Sequence, residues 1–189
     1  MLEDLDAMAA SVNTVEGTAP ANVSFERERG VYALEVHRDV AHAIIEVGED
    51  AGRTGRILRV FSSLSSARVP VFLIKMHRSA VTLAFAGATT ELATEVLRGE
   101  GLSADIRGGL TLLVVRAASM RDLHGVMTSI ADALFDAGAR LYETGDSHNS
   151  VQCLIEQDSA EAAERQLCAR FQLSTDAVSH FSVNVEAAG

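Results

Sequence analysis

Two α+β units in tandem, each with the order β-α-β-β-α-β, are the fold that this sequence predicts. The first observation is an ungapped internal repeat at an offset of 70 residues in a chain of 189. The second is that strand-like apolar runs and helix-like periodicities recur in the same order at that offset. Because the repeated segment is longer than a solenoid repeat, it indicates two small domains. The identities are Gly55/Gly125, Leu64/Leu134, Ala67/Ala137, Val81/Val151, Glu91/Glu161, Ala93/Ala163 and Leu97/Leu167.

The first unit, residues 30–107, comes after a leader or linker at residues 1–29 that is rich in turn-forming residues. Its first helix is predicted because Ile57, Phe61 and Leu64 share one helical face. Polar residues between apolar runs mark the turns. The expected elements are strands Gly30–Val36 and Val40–Val47 joined as a hairpin by His37–Asp39, a helix over Gly55–Ala67, strands Val69–Met76 and Ala80–Ala86, a helix capped by Thr89 or Thr90 and ending at Gly99, and a closing strand Ser103–Ile106.

The second unit, residues 108–189, repeats this order after a turn at Gly108 and Gly109. Gly138 is suited to end its first helix in the left-handed conformation. The expected elements are strand Leu110–Ala117, loop Ser119–His124, a helix over Gly125–Ala137, strands Ala139–Thr144 and Val151–Gln157, a helix beginning at Ser159, and an edge or closing strand over Phe181–Val185.

Each unit is therefore expected to be ferredoxin-like, with two helices on one face of an antiparallel sheet. The other face of the sheet must also be covered, and a second unit or a second chain is the expected cover. A homodimer is predicted on this ground.

Composition excludes several classes of function. The net charge is −10 and Lys75 is the only lysine, so a nucleic-acid partner is not expected. No apolar stretch reaches the roughly 20 residues that span a membrane. The N-terminus lacks the pattern of a secretory signal, which predicts a cytoplasmic protein. The only cysteines, Cys153 and Cys168, cannot form a disulfide framework.

Two segments of the second unit carry a family resemblance. Residues 120–126, Met-Arg-Asp-Leu-His-Gly-Val, and the helix that ends Ala-Leu-Phe-Asp-Ala-Gly at Gly138 resemble the second ACT domain of aspartate kinases. Gly52-Arg53-Thr54-Gly55 is similar to the matching loop of the preceding ACT domain. The resemblance implies a regulatory module that binds amino acids at ACT–ACT interfaces. It also implies that strand Gly30–Val36 completes the sheet of the second unit.

The two loops before the first helix of each unit are the predicted ligand sites. A helix N-terminus with nearby glycines offers free N–H groups to a carboxylate. Glu49, Asp50 or Asp122 can take an ammonium group, and Arg53, Arg56 or Arg121 an acidic side chain. In the family an asparagine on the following strand helps to hold the effector, but this chain has Pro70 and Arg140 there. The predicted site residues are Asp50, Gly52, Arg53, Thr54, Gly55, Pro70, Val71, Met120, Arg121, Asp122, Leu123, His124, Gly125, Val126, Arg140 and Leu141.

The preferred hypothesis is a non-catalytic regulatory protein that binds a small amino acid or related metabolite and acts on a kinase or another enzyme of amino-acid metabolism. The alternative is an interaction or structural subunit without an effector, which Pro70 and Arg140 favour. No catalytic residue, metal site or cofactor is predicted, since the histidines and cysteines lack ligand spacing and Ser147-His148 does not form a triad by adjacency.

Overall fold

The computed structural model describes residues 30–119 and 124–182. The predicted leader and residues 183–185 of the predicted last strand lie outside these residues. The elements are β1 (Val31–Glu46), α1 (Arg53–Ser66), β2 (Val71–Met76), β3 (Ala80–Ala86), α2 (Thr90–Gly99), β4 (Ala104–Ala117), α3 (Val126–Asp136), β5 (Leu141–Asp146), β6 (Ser150–Glu156), α4 (Ala160–Phe171) and β7 (Val178–Ser182).

The internal repeat is visible in the positions of these elements. Strands β2 and β5 begin 70 residues apart, and so do β3 and β6 and helices α2 and α4. Short 3-10 turns at Gly87–Thr89 and Gln157–Ser159 precede α2 and α4 at the same offset. The predicted α+β fold with two ferredoxin-like units in tandem is confirmed.

All the strands belong to one sheet whose order is β2-β3-β1-β4-β6-β5. Neighbouring strands in this order are antiparallel. Strand β7 pairs in parallel with residues 34–38 of β1, so the N-terminal half of β1 lies between β4 and β7. The C-terminal half of β1 lies between β3 and β4.

The hairpin predicted at His37–Asp39 is wrong, because β1 is a single strand of 16 residues. Asp39 has a φ of 55°, and the pairing of β1 with β4 shifts register between His37 and Val40. This extra residue is a β-bulge, which reverses the face on which alternate residues lie. Leu34 therefore packs with α3 and α4 of the second unit, while Ala43 packs with α1 and α2 of the first.

The turn predicted at Gly108 and Gly109 is also wrong, since β4 runs through both residues. Gly109 has a φ of 71° and lies 70 residues after Asp39. It has the same effect as Asp39. Ile106 packs with the helices of the first unit, and Leu113 packs with those of the second. The polar and glycine residues that resembled turns are thus bulges where the two long strands cross.

The ends of the helices agree with the sequence in part. Gly138, with a φ of 67°, donates its N–H to the Phe135 carbonyl and ends α3 as predicted. Thr89 is the N-cap residue of α2, one of the two positions predicted, but its hydroxyl donates to the Ala86 carbonyl and makes no capping hydrogen bond to the helix.

The side chains form two outer cores and an inner layer. The first unit consists of α1, α2, β2, β3, the C-terminal half of β1 and the start of β4. The second unit is the remainder, with α3 and α4 on its outer face. The inner layer, called the seam, joins the sheet faces that carry no helix, and it consists of buried Val40, Leu73, Ala84, Leu110, Leu112, Val114 and Leu154 with partly buried Phe72 and Tyr142. None of the helices in the described residues is long and apolar enough to cross a membrane.

Strands β2 and β5 approach each other closely across the seam. A Cβ atom added to Gly145 would lie 2.5 Å from Leu73 Cδ1 and 2.8 Å from Gln152 Oε1. The seam therefore requires glycine at position 145 for contact with Leu73 rather than for backbone conformation.

We expect Gly145→Ala to lower the free energy of unfolding by about 1–3 kcal/mol, as over-packing does in other cores. Leu73→Ala should lower the free energy of unfolding less in the Gly145→Ala protein than in the wild type, because the smaller side chain at position 73 removes the clash. Urea unfolding of the single and double variants measures both effects.

Gly99→Ala is the matched control, because no atom lies within 4 Å of the added Cβ there. It should leave stability unchanged or raise it by about 0.4–1 kcal/mol. A Gly145→Ala protein as stable as the wild type would contradict the close approach.

Candidate ligand-binding site

A cavity of about 580 Å³ lies in the second unit, between the start of α3 and the end of β5. Its size is within the range of about 300–1,000 Å³ that is usual for small-molecule sites. The lining residues are Gly125, Val126, Met127, Thr128, Thr144, Gly145, Asp146, Ser147, His148 and Val151.

One wall of the cavity is the N-terminus of α3. Gly125 precedes the helix with a φ of 78°, and no side chain caps this end. The first backbone bond of the helix runs from the Ser129 N–H to the Gly125 carbonyl. The amides of residues 126–128 therefore have no acceptor within the helix, and with the helix dipole they favour a negatively charged group.

The opposite wall is the end of β5 and the turn after it. The Ser147 N–H donates to the Ser150 carbonyl at 2.9 Å, and the hydroxyls of these serines are 2.7 Å apart. Asp146 is exposed, and its side chain forms no ion pair or hydrogen bond with any other described residue. The site thus places a carboxylate with no partner in the described part of the chain across from amides with no acceptor within the helix, and Val126, Met127 and Val151 form apolar surface between them.

The matching region of the first unit is filled by its own arginine. Arg53 Nε donates to the Arg78 carbonyl at 3.0 Å, and its NH2 group donates to the His77 carbonyl at 2.8 Å. His77 and Arg78 lie 70 residues before Ser147 and His148, which line the cavity of the second unit. The guanidinium therefore joins the α1 N-terminus to the β2–β3 turn, in the place where the second unit is open.

The charged groups next to Arg53 are also paired within the first unit. Arg56 NH2 donates to Asp50 Oδ2 at 2.7 Å, and Arg56 Nε donates to the Val47 carbonyl at 2.6 Å. Asp50 Oδ1 accepts from the Gly52 N–H at 2.7 Å. The Arg56 hydrogen bond and the Gly52 amide lower the pKa of Asp50. Both carboxylate oxygens of Asp50 are therefore already hydrogen-bonded within the first unit.

The structure places the predicted site residues in different surroundings. Gly125 and Val126 line the cavity, and His124 is exposed immediately before them. The other predicted residues of that loop, Met120, Arg121, Asp122 and Leu123, lie outside the described residues. Thr54 and Gly55 are exposed on the first turn of α1.

Pro70, Val71, Arg140 and Leu141 lie away from the cavity, because β5 contributes to it only from Thr144 onward. The Pro70 carbonyl accepts from the Ala86 N–H. The Arg140 guanidinium carbon lies 5.2 Å from the centre of the Tyr142 ring.

Sequence reasoning missed most of the residues on the β5 side of the cavity, above all Thr144, Asp146 and Ser147. The chain order β-α-β did contain a signal for them. The strands before and after a crossover helix point in the same direction, so the end of the second strand lies beside the start of the helix. The two cysteines are not part of this site, and burial raises the pKa of Cys153 to about 12, which keeps it a thiol.

No family model matches the sequence, and no curated protein matches it either. The fold, by contrast, has solved counterparts. The regulatory subunit of aspartate kinase from Thermus thermophilus aligns with a TM-score of 0.67 and 18% identity, over 76% of this chain and 99% of that one.

The chain has the fold of aspartate kinase regulatory modules. E. coli aspartokinase III in complex with lysine and aspartate aligns with a TM-score of 0.61 and 17% identity, over 77% of this chain and 34% of that one. A C-terminal regulatory domain of aspartate kinase, described as putative, from Porphyromonas gingivalis aligns with a TM-score of 0.59 and 13% identity, over 74% and 96% of the two chains. The tandem ACT resemblance seen in the sequence is thus confirmed at the level of the fold.

Arg53→Ala should lower the free energy of unfolding by about 1–2 kcal/mol, because two charge-assisted hydrogen bonds to turn carbonyls are lost at a partly exposed site. Urea denaturation measures the change. Arg165→Ala is the matched control, since Arg165 is exposed and has no partner among the described residues. Equal stability of the two variants would contradict a structural role for Arg53.

Proposed function

We propose that this chain is a non-catalytic regulatory module whose second unit binds a small amino acid in the cavity at the start of α3. The observation that carries the proposal is that one cavity contains two groups that favour ligand charges of opposite sign. Uncapped amides of α3 favour an anion, and the Asp146 carboxylate, which has no partner among the described residues, favours a cation. A zwitterionic amino acid presents both charges a few bonds apart.

Each group of the ligand has a partner in this arrangement. The carboxylate accepts from the amides of residues 126–128, and the ammonium group donates to Asp146. The ligand side chain lies against Met127 and Val151, with the hydroxyls of Thr128 and Thr144 within the same lining. An apolar or hydroxyl-bearing side chain of modest size suits this surface.

Each chain is expected to bind one ligand, in its second unit. Arg53 and Arg56 occupy the matching region of the first unit and satisfy its carbonyls and its carboxylate. A ligand there would have to displace these internal hydrogen bonds. The predicted first-unit residues Asp50, Gly52, Arg53, Thr54 and Gly55 are therefore assigned a structural role in this proposal.

The regulated partner is proposed from the likeness in fold. The solved structures that share the fold of this chain include a regulatory subunit of aspartate kinase and an aspartokinase in complex with lysine and aspartate. We infer that this chain acts on a kinase or another cytoplasmic enzyme of amino-acid metabolism. It would do so by binding its ligand more tightly in one arrangement of the complex than in another. A homodimer is part of the proposal, because the edge strand β2 leaves Ile74 and Met76 half exposed.

A screen of the twenty amino acids by thermal unfolding tests the binding. A ligand at 100 times its dissociation constant adds about 2.7 kcal/mol to stability, which raises the unfolding midpoint by several degrees in a chain of this size. Isothermal titration of the best ligand should give one site per chain. No shift with any amino acid at millimolar concentration would contradict effector binding.

Asp146→Asn should weaken the binding of that ligand by about 10- to 100-fold, because a hydrogen bond between two charged groups becomes one to a neutral amide. Asp176→Asn, an exposed position outside the cavity, is the matched control and should bind like the wild type. If the two variants bind equally well, Asp146 does not hold the ammonium group.

The second candidate function is an interaction subunit that binds no effector. The observation that favours it is the exposure of large apolar side chains on helices, with Phe135 84% exposed on α3 and Leu58 67% exposed on α1. Co-elution with a catalytic chain that no amino acid alters, together with a negative screen, would favour this function over the first.

A further inference from the structure

The seam contains a cluster of ionisable groups that the proposed ligand site does not use. Glu143 of β5 lies at its centre, with 13% of its side chain exposed. Lys75 Nζ donates to Glu143 Oε1 at 3.1 Å, and Thr82 donates its hydroxyl proton to Glu143 Oε2 at 3.1 Å. These bonds connect β2 and β3 of the first unit to β5 of the second.

His77 extends the cluster on the side of the first unit. Its Nε2 is 3.1 Å from the Thr82 hydroxyl. Because the single proton of Thr82 is donated to Glu143, the hydroxyl accepts from His77, which fixes a proton on His77 Nε2. The same nitrogen is 3.9 Å from Glu143 Oε2. The β2–β3 turn is thereby linked to the seam.

His42 of β1 is the member of the cluster without a hydrogen bond. Its side chain is 8% exposed, and its Nε2 lies 3.8 Å from Glu143 Oε2, beyond hydrogen-bond distance. This nitrogen is buried and has no partner among the described residues. A buried polar atom left unpaired is costly, and a buried charge is costlier.

The charged and titratable groups that face His42 come from strands β2, β4 and β5 and from the β2–β3 turn. Glu143 of β5 and Asp105 of β4 favour a proton on the imidazole, while His77 opposes it. Lys75 of β2 already donates to Glu143, and Arg107 of β4 is the register partner of His42. A proton on His42 would therefore add a further cation beside a carboxylate that is already neutralised.

We propose that the seam is a pH-sensitive joint in which neutral His42 is required for β2 and β5 to pack closely, so that mild acidification loosens the two units from each other. Strand β5 also forms one wall of the cavity, so the joint would make ligand affinity depend on pH, a consequence that rests on the proposed function. The joint itself does not need a ligand.

The direction of the effect depends on where the proton binds. Burial lowers the pKa of His42 below the ordinary value, and the opposing effects of Glu143 and Asp105 are smaller. The unfolded or opened chain therefore takes up the proton first as the pH falls. The stability that neutral His42 provides is complete above the ordinary imidazole pKa of about 6.5 and is lost below it.

Hydrogen exchange of the wild-type protein without ligand tests the joint. After correction for intrinsic exchange rates, the amides of β2 and β5 should lose protection between about pH 7.5 and about pH 5.5, by as much as about tenfold for each pH unit below 6.5. His42→Gln should lose less protection over this range, because its side chain does not titrate. His180→Gln, at an exposed position on β7 outside the seam and the cavity, is the matched control, and its β2 and β5 amides should behave like those of the wild type.

A titration of the wild-type histidines by NMR keeps the test independent of whether the variant folds. The His42 imidazole should titrate below the ordinary value of about 6.5. A midpoint at or above this value, or an equal loss of protection in the wild type and in His42→Gln, would overturn the proposal. Because neither measurement uses an amino acid, failure of the proposed ligand site leaves both outcomes interpretable.

Discussion

The need to cover the face of the sheet that carries no helix in each unit determines this structure. In a β-α-β-β-α-β unit both helices lie on one side, and the apolar residues on the other side require a cover. Here each unit covers the other through the seam, where Leu73 and Leu154 are almost completely buried. The two strands that cross between the units make this possible. Bulges at Asp39 and Gly109 reverse their faces, so that each strand contributes to both outer cores and to the layer between them.

The seam also shows how two copies of one unit became unlike. Leu73 approaches Gly145, and Lys75 pairs with Glu143, so each contact joins a position in one unit to a different position in the other. Pairing of two first units in this geometry would place Leu73 against Lys75, and pairing of two second units would leave Glu143 facing Gly145. The complementary contacts therefore favour association of unlike units. The difference extends to the ligand sites, where Arg53 fills the first and the second is open.

The sequence was sufficient for the fold but only partly for the site. Periodicity and the repeat predicted α1, α2, α3, α4 and the central strands, because these depend on local burial patterns. The crossing strands were divided at Asp39 and Gly109, since a polar or glycine residue with positive φ is the same signal in a turn and in a bulge. The cavity side that includes Asp146 was missed, because its role depends on the end of β5 meeting the start of α3 rather than on any local motif.

The contact between Leu73 and Gly145 is the most direct test of the seam. An NMR sample with isotope labels should show a nuclear Overhauser effect between the Leu73 methyl protons and the Gly145 α-protons. A mixture of labelled and unlabelled chains should show that the effect arises within one chain. Absence of this effect, with the Leu73 and Leu154 methyl groups exposed to a soluble paramagnetic probe, would contradict the packing of the two halves of the sheet on each other.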